Sequence, residues 1–320
     1  MKNRIVSLDI ARGISVIWIV GILHVIGYIM NPSLLPEWLL KIIEGLTLSC
    51  LATFTYLSGY FVAGKKMSSR EDISKFFIKR ILRFAILYFI ACITLYIAGM
   101  VLSNDVKWFR NINQLIATLI GVSGLIPNCQ PATFWYFSMI IFFYLVTPFI
   151  SFAKSEEQKL IRSLVILCVL SIETIIIDAD IRLPFYFLFY AYGAFNQRLR
   201  ILNSKDTLIT LVLFIPFTFT VNLEYYLSIQ NLIIGVLGTM LILSVSSKIS
   251  NPKLISILTF LAYGSMCAYL YHRHFYALIK KLNDGDYWPI YVWPIAIVIV
   301  FIMGYIIQLT YDKSLNKFKI

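Results

Sequence analysis

The sequence predicts an all-α protein, a polytopic transmembrane helical bundle of about ten helices. Of its 320 residues, 59% are hydrophobic and 14% are charged, and the mean hydropathy is +0.80. A soluble chain is less apolar and carries more charge, so the excess apolar side chains must face lipid. One crossing takes roughly 20 apolar residues, so little length remains for a soluble domain. We expect a single domain over residues 1–320.

Apolar runs separated by short polar connections predict the individual helices. They lie near residues 10–30, 38–63, 81–102, 133–153, 159–177, 183–198, 207–222, 227–247, 254–280 and 288–310. The first run contains His24 and ends without a small-residue cleavage site, so we expect a retained helix rather than a signal peptide. The segment 112–126 is too short to span, and Gly121 and Gly124 interrupt it. This predicts an interfacial or re-entrant segment.

The charge of the chain reports its topology. Lys and Arg number 28 against 16 Asp and Glu, a formal net charge of +12. Most of the basic residues fall in connections on the side of the N-terminus, which predicts a multi-pass plasma-membrane protein with both termini in the cytoplasm. We therefore expect no nucleic-acid partner. The five cysteines show neither a disulfide framework nor metal-ligand spacing, so no metal is expected.

Ionisable side chains inside the apolar runs are the candidates for function. His24 lies in the outer half of the first helix, and His272, Arg273 and His274 reach a similar depth near the end of the ninth. A histidine at this level suits a general base acting on a sugar hydroxyl. The alternative for His24 is a buried histidine bonded to a neighbouring helix. The alternative for His272 and His274 is an aromatic belt at the headgroups, and Glu173 is equally explained as a partner for a basic residue.

Basic residues at the predicted cytoplasmic side form a second candidate site. Arg80 and Arg83 lie three apart on one helical face with Lys79 adjacent, and two guanidinium groups can hold a phosphate. The positive-inside rule alone also explains them. Arg12 is the last charge before an apolar run, and Asp9 three residues earlier makes an ion pair an equal explanation.

Taken in order, several segments resemble the integral membrane acyltransferase type three family, which includes bacterial polysaccharide O-acetyltransferases. They are 7–28, with an Asp-x-x-Arg-Gly start and a downstream histidine; 55–62, with Ser-Gly-Tyr; 76–84, with Arg-x-x-Arg; 134–149, with Trp-Tyr; and the C-terminal segments 191–195 and 268–275. The resemblance covers most of the chain. Each motif alone is weak, and their order and spacing are specific.

The resemblance implies an enzyme that moves an acyl group, here acetyl, from cytoplasmic acyl-CoA to a hydroxyl of a cell-envelope polysaccharide or lipid-linked sugar. It assigns Arg12, Arg80 and Arg83 to the cytoplasmic donor side and His24 to the acyl-transfer centre. We expect His24 and Arg12 to be catalytic and Arg80, Arg83 and Lys79 to bind acetyl-CoA. Our hypothesis for the acceptor side is a wall formed by Trp135, Tyr136, Glu173 and His272. The partners expected are acyl-CoA, the glycan acceptor and membrane lipids, and a homo-oligomer is left open.

The spacing of the first helix departs from the family. Ten residues usually separate its arginine and histidine, whereas eleven separate Arg12 and His24. In a continuous α-helix the extra residue turns His24 about a third of a circle away. Either a π-bulge, for which Gly21 is a suitable place, absorbs the residue, or the pair is not equivalent to that of the family. A glycan transporter or flippase with a histidine proton relay, and a non-catalytic scaffold, are the alternative functions.

Overall fold

The computed structural model describes residues 5–26, 28–62, 67, 69–101, 109, 111–129, 134–153, 155–195, 202–223, 225–283 and 286–317. Apart from an isolated bridge between Ile26 and Met30, the regular structure of these ranges is helical. The predicted all-α class is therefore confirmed.

Twelve α-helices follow one another in the described ranges. They are α1 (Val6–Gly21), α2 (Glu37–Tyr60), α3 (Arg70–Phe77), α4 (Arg83–Val101), α5 (Ile112–Leu119), α6 (Trp135–Ser151), α7 (Glu156–Ile177), α8 (Arg182–Phe195), α9 (Ser204–Thr218), α10 (Ile229–Lys248), α11 (Pro252–Lys281) and α12 (Val292–Lys317). A π-helical segment, Ile78–Leu82, joins α3 to α4, and 3₁₀ turns occupy Leu23–Val25, Pro32–Leu34 and Ser123–Leu125.

Six described helices are long and apolar enough to cross a bilayer. They are α1 with the turn after it, α2, α7, α10, α11 and α12. The helices on either side of the π-helical segment, bent by 46°, count as a seventh if they form one span, and α6 is apolar but shorter. Each of the ten predicted runs overlaps a helix, but the predicted count of about ten spans is not confirmed.

The segment 112–126 does not form a spanning helix. Its helix, α5, has eight residues and is therefore about 12 Å long. Gly121 follows with a φ of +81°, in the left-handed region that favours glycine, and a 3₁₀ turn comes next. The helix is too short to cross, and its interfacial or re-entrant placement stays a prediction.

The described chain divides into two compact units, and the prediction of a single domain stays a prediction. The first unit comprises Met1–Phe54 and Leu199–Ile320. Within it α11 packs against both α1 and α12. Gly13 allows the close approach of α1, because a Cβ at this position would lie 2.3 Å from the Leu258 carbonyl oxygen.

The second unit, Thr55–Arg198, is built around aromatic side chains. Phe134 and Phe143 of the α6 region and Phe185, Tyr186 and Tyr190 of α8 are completely or almost completely buried. Their rings meet at tilted and edge-to-face angles, as aromatic pairs prefer. This packing holds α6 beside α8.

Replacement of Gly13 by alanine tests the contact between α1 and α11. The new methyl group meets a backbone carbonyl that cannot rotate away, so α1 must shift. We expect a loss of about 1–3 kcal/mol in the free energy of unfolding, measured by denaturant titration of the purified protein in detergent. Gly124→Ala is the control, because its methyl meets the movable end of the Leu183 side chain at 3.0 Å. Equal stability of the two variants would contradict the close contact.

Candidate active site

The first helix ends in the interior of the protein rather than continuing to Met30 as predicted. α1 stops at Gly21, and two side chains of other helices bond the carbonyls that this break frees. The Tyr276 hydroxyl donates to the Val20 carbonyl at 3.0 Å, and the Trp293 indole N–H donates to the Gly21 carbonyl at 2.6 Å. Carbonyls at a helix end need such partners where water is absent.

A 3₁₀ turn, Leu23–Val25, follows the break and carries His24 at its centre. The Val25 carbonyl accepts from the N–H groups of Tyr28, Ile29 and Met30, which closes the turn. The irregularity therefore occurs at Gly21, but it is a helix end and not the π-bulge considered from the sequence. The calculated rotation of His24 assumed a continuous α-helix, so it does not apply to this structure.

His24 takes part in a chain of hydrogen bonds with α11. Its Nδ1 lies 2.6 Å from Nε2 of His272, and its Nε2 lies 2.8 Å from Nη2 of Arg273. Nδ1 of His272 lies 2.6 Å from the carbonyl oxygen of Tyr269. The two imidazoles thus connect the turn after α1 to the C-terminal half of α11, the longest described helix.

The partners at the two ends of the chain fix the ring protons. A carbonyl only accepts, so His272 must donate from Nδ1 to Tyr269; a guanidinium only donates, so His24 must accept at Nε2 from Arg273. The remaining bond then runs from Nδ1–H of His24 to Nε2 of His272. Both rings are neutral, and each carries its proton on Nδ1.

The histidine pair is sheltered from the surroundings. His272 is fully buried and His24 is 9% exposed. The rings of Tyr269 and Tyr276 stand at an angle to the His272 ring, with centroids 5.4 and 5.9 Å away. His24 is therefore a buried histidine bonded to a neighbouring helix, which was the alternative to a catalytic role in the sequence analysis. His272 is an interior residue and not part of a surface aromatic belt.

Arg12 contacts the same helix as His24. Its Nη2 lies 3.4 Å from the Ser265 hydroxyl on α11, and its Nη1 lies 3.9 Å from Asp9, the partner considered from the sequence. The side chain is 35% exposed. Arg12 and His24 are thus both positioned by α11, and the catalytic role predicted for Arg12 stays a prediction.

The predicted donor-side residues belong to the second unit. Arg80 lies in the π-helical segment and donates from Nη2 to the Phe61 carbonyl at 2.8 Å, whereas Lys79 is exposed. The Nε–H of Arg80 is buried and makes no hydrogen bond within the described part of the chain. Arg83 begins α4, and its side chain lies outside the described residues.

The predicted acceptor-side residues of the second unit lie on α6 and α7. Trp135 and Tyr136 begin α6, and the Tyr136 hydroxyl lies 3.4 Å from the Thr55 hydroxyl. Glu173 is half-buried near the end of α7, where its backbone carbonyl accepts from residues that follow the helix. The guanidinium carbon of Arg182 lies over the Trp135 ring, 4.0 Å from the ring centroid.

Sequence reasoning gave no role to Arg273 or Arg182. Arg273 bonds His24, and Arg182 forms a two-point ion pair with Asp180, with distances from 2.6 to 2.9 Å. The available signal for Arg273 was an arginine inside an apolar run, which is costly unless it has a partner. Among the described residues, no group of three or more His, Cys, Asp and Glu side chains is arranged to hold a metal ion.

The chain is similar to a known protein family. A family model described as an acyltransferase domain matches residues 5–309, which is nearly the whole chain. No curated protein and no solved structure matches the chain.

Replacement of Trp293 by phenylalanine tests the helix end at Gly21. The ring is kept but the indole N–H is lost, so the Gly21 carbonyl is left without this donor. We expect a loss of about 1–3 kcal/mol in the free energy of unfolding and faster hydrogen–deuterium exchange of peptides covering residues 18–30. Trp38→Phe, at an exposed position of α2, is the control. Unchanged exchange in Trp293→Phe would show that the indole does not hold the turn.

Proposed function

Because the chain belongs to the acyltransferase type three family, we propose that it is a membrane O-acyltransferase. In this proposal it moves an acetyl group from cytoplasmic acetyl-CoA to a hydroxyl of a cell-envelope polysaccharide or lipid-linked sugar. The single structural observation that carries the proposal is the sheltered His24, whose Nε2 presents a lone pair. A neutral imidazole in this state is a general base.

The proposed reaction transfers one proton and one acyl group. His24 removes the hydroxyl proton at Nε2 while the hydroxyl oxygen attacks the thioester carbonyl. A C–O bond forms, the C–S bond breaks, and the proton passes from His24 to the leaving sulfur of CoA. The acceptor hydroxyl takes the place of Arg273 at Nε2, which leaves the guanidinium beside the developing oxyanion. Such a cation stabilises the tetrahedral intermediate.

A free donor supports the proposed role of Arg273. Its Nε–H is buried and makes no hydrogen bond in the described structure, although Nη2 bonds His24. A buried donor without a partner costs about 1–3 kcal/mol. An oxyanion that accepts a hydrogen bond from this Nε–H removes the cost of the missing partner. The oxyanion exists only while negative charge develops, so the bond stabilises the transition state more than the bound substrate.

The basic residues supply the proposed donor site. Acetyl-CoA is a substrate whose phosphates require cations, and Arg80, Arg83 and Lys79 of the second unit are the candidates. For Arg12, in the first unit, the proposed role is catalytic. The buried Nε–H of Arg80 supports this role, because a phosphate oxygen satisfies it. Arginine is well suited, since its planar group donates two parallel hydrogen bonds to phosphate.

The proposed acceptor site uses aromatic and carboxylate side chains. Trp135 and Tyr136 offer rings against which a sugar can pack, and Glu173 offers an acceptor for sugar hydroxyls. His272 belongs to the first unit and forms a wall beside His24, with both of its ring nitrogens already bonded.

The proposed topology has ten crossings. The six qualifying helices and the bent α3–α4 pair are joined by α6, α8 and α9, which have 17, 14 and 15 residues. These three are about 21–26 Å long, so they cross only where the bilayer is locally thin or their ends are extended by connections. An even number of crossings puts both termini on the same side, and the distribution of basic residues supports our proposal that this side is the cytoplasm, with the protein in the plasma membrane.

The transporter or flippase alternative is not favoured. The family match is to an acyltransferase domain, and the proposed acyl transfer uses His24 as a base. The scaffold alternative gives the buried histidine pair no chemical role. Proton-coupled glycan uptake into liposomes in the absence of CoA is the observation that would support a transporter.

Replacement of His24 by alanine tests the proposed chemistry. Purified protein in lipid, given acetyl-CoA and a cell-envelope glycan, should release free thiol and acetylate the glycan, and His24→Ala should abolish both. His274→Ala, a buried histidine of α11 outside the hydrogen-bond chain, should keep activity. A normal rate in folded His24→Ala would exclude His24 as the base.

Replacement of the donor-side arginines tests the CoA site separately. Arg80→Ala and Arg83→Ala each remove about 1.5–3 kcal/mol of charge-assisted hydrogen bonding, so we expect KM for acetyl-CoA to rise about 10- to 100-fold. The control is Lys75→Ala, because Lys75 is an exposed cation of α3 that pairs with Glu71. If all three variants keep the KM of the unmodified protein, CoA binds elsewhere.

A further inference from the structure

We propose that His272 is a positioning residue for the acyl transfer: it holds His24 as the Nδ1–H tautomer, with the lone pair of His24 at Nε2. The inference rests on the proposed function and gives His272 a more specific role in it than that of a wall. In many enzymes a carboxylate orients the catalytic histidine. Here the geometry points to a second neutral histidine.

The bond between the two rings is short and isolated from competitors. Nδ1 of His24 and Nε2 of His272 are 2.6 Å apart, and His272 is fully buried. Water therefore does not compete for either nitrogen. A buried donor that loses its partner costs about 1–3 kcal/mol, so the pair is maintained only with a proton between these two atoms.

The direction of the bond is set by the backbone of α11. The Tyr269 carbonyl, 2.6 Å from Nδ1 of His272, can only accept. It holds the His272 proton on Nδ1 and leaves Nε2 as an acceptor. This acceptor in turn requires Nδ1–H on His24, so a backbone carbonyl three residues from His272 determines which nitrogen of His24 is basic.

Arg273 alone does not explain this arrangement. Its guanidinium also favours a lone pair at Nε2 of His24, but it must leave that nitrogen when the acceptor hydroxyl binds. At that stage only His272 contacts a ring nitrogen of His24 among the described residues. His272 therefore keeps the base nitrogen deprotonated and aimed during the step for which it is needed.

Two substitutions separate positioning from simple space filling. His272→Gln places an amide oxygen near the former Nε2 and still accepts from Nδ1–H of His24, whereas His272→Leu fills the space without accepting a hydrogen bond. We expect His272→Leu to lower kcat about 100-fold and His272→Gln to restore about 10-fold of that loss, with KM for acetyl-CoA unchanged in both. These magnitudes correspond to misplacement of a catalytic group by about 1 Å. His274→Gln is the matched control, with the same replacement on the same buried helix and no expected loss.

The tautomer can be observed independently of activity. The chain has only three histidines, so ¹⁵N-histidine labelling and single substitutions assign every ring nitrogen by NMR. In the unmodified protein and in His272→Gln, His24 should show a protonated Nδ1 and an unprotonated Nε2. In His272→Leu the resonances of this tautomer should be lost or joined by those of a second one.

Each result has a defined meaning. Equal kcat in folded His272→Leu and the unmodified protein, or a His24 proton found on Nε2, overturns the role of His272 while leaving the acyltransferase proposal intact. A Gln variant no better than the Leu variant also overturns it, because space filling would then account for the loss. Absence of acyl transfer by the unmodified protein overturns the proposed function and the role of His272 with it, even if NMR finds the expected tautomer.

Discussion

Lipid offers no hydrogen-bond partner to a backbone carbonyl, so a helix that ends within a membrane protein needs donors from its neighbours. α1 meets this requirement at Gly21, where the side chains of Tyr276 and Trp293 bond the freed carbonyls. The 3₁₀ turn that carries His24 depends on this end. The bonds of His24 to His272 and Arg273 depend on this 3₁₀ turn, and so does the chemistry that we propose.

The helical class and the place of each predicted helix followed from hydropathy alone, because apolar runs are the main signal of a membrane protein. The position at which α1 ends could not be predicted from hydropathy. Residues 22–30 are as apolar as those before them, and the donors that make a break tolerable lie more than 250 residues away in α11 and α12. Gly21 marked the place, but a local signal cannot distinguish a π-bulge from a helix end.

The candidate site shows the same limit. His24 was identifiable as an ionisable residue in an apolar helix, and His272 as one at a similar depth. That these two rings bond each other depends on the rotation of α11 about its axis, which its sequence does not fix. The neighbouring Arg273 reaches the other nitrogen of His24, whereas the described hydrogen bonds of His24 and His272 do not include His274. Depth was predictable from sequence, and the direction in which each side chain points was not.

The donors that end α1 also have a consequence for biosynthesis. Synthesis proceeds from the N-terminus, so α1 is made long before α11 and α12. Until Tyr276 and Trp293 have been made, these two donors are absent, and an α-helix that continues through His24 would satisfy the carbonyls of Val20 and Gly21. The 3₁₀ turn that carries His24 therefore gains the bonds that end α1 only after α12 has been made, so the histidine to which we assign the chemistry reaches its place late in the maturation of the protein.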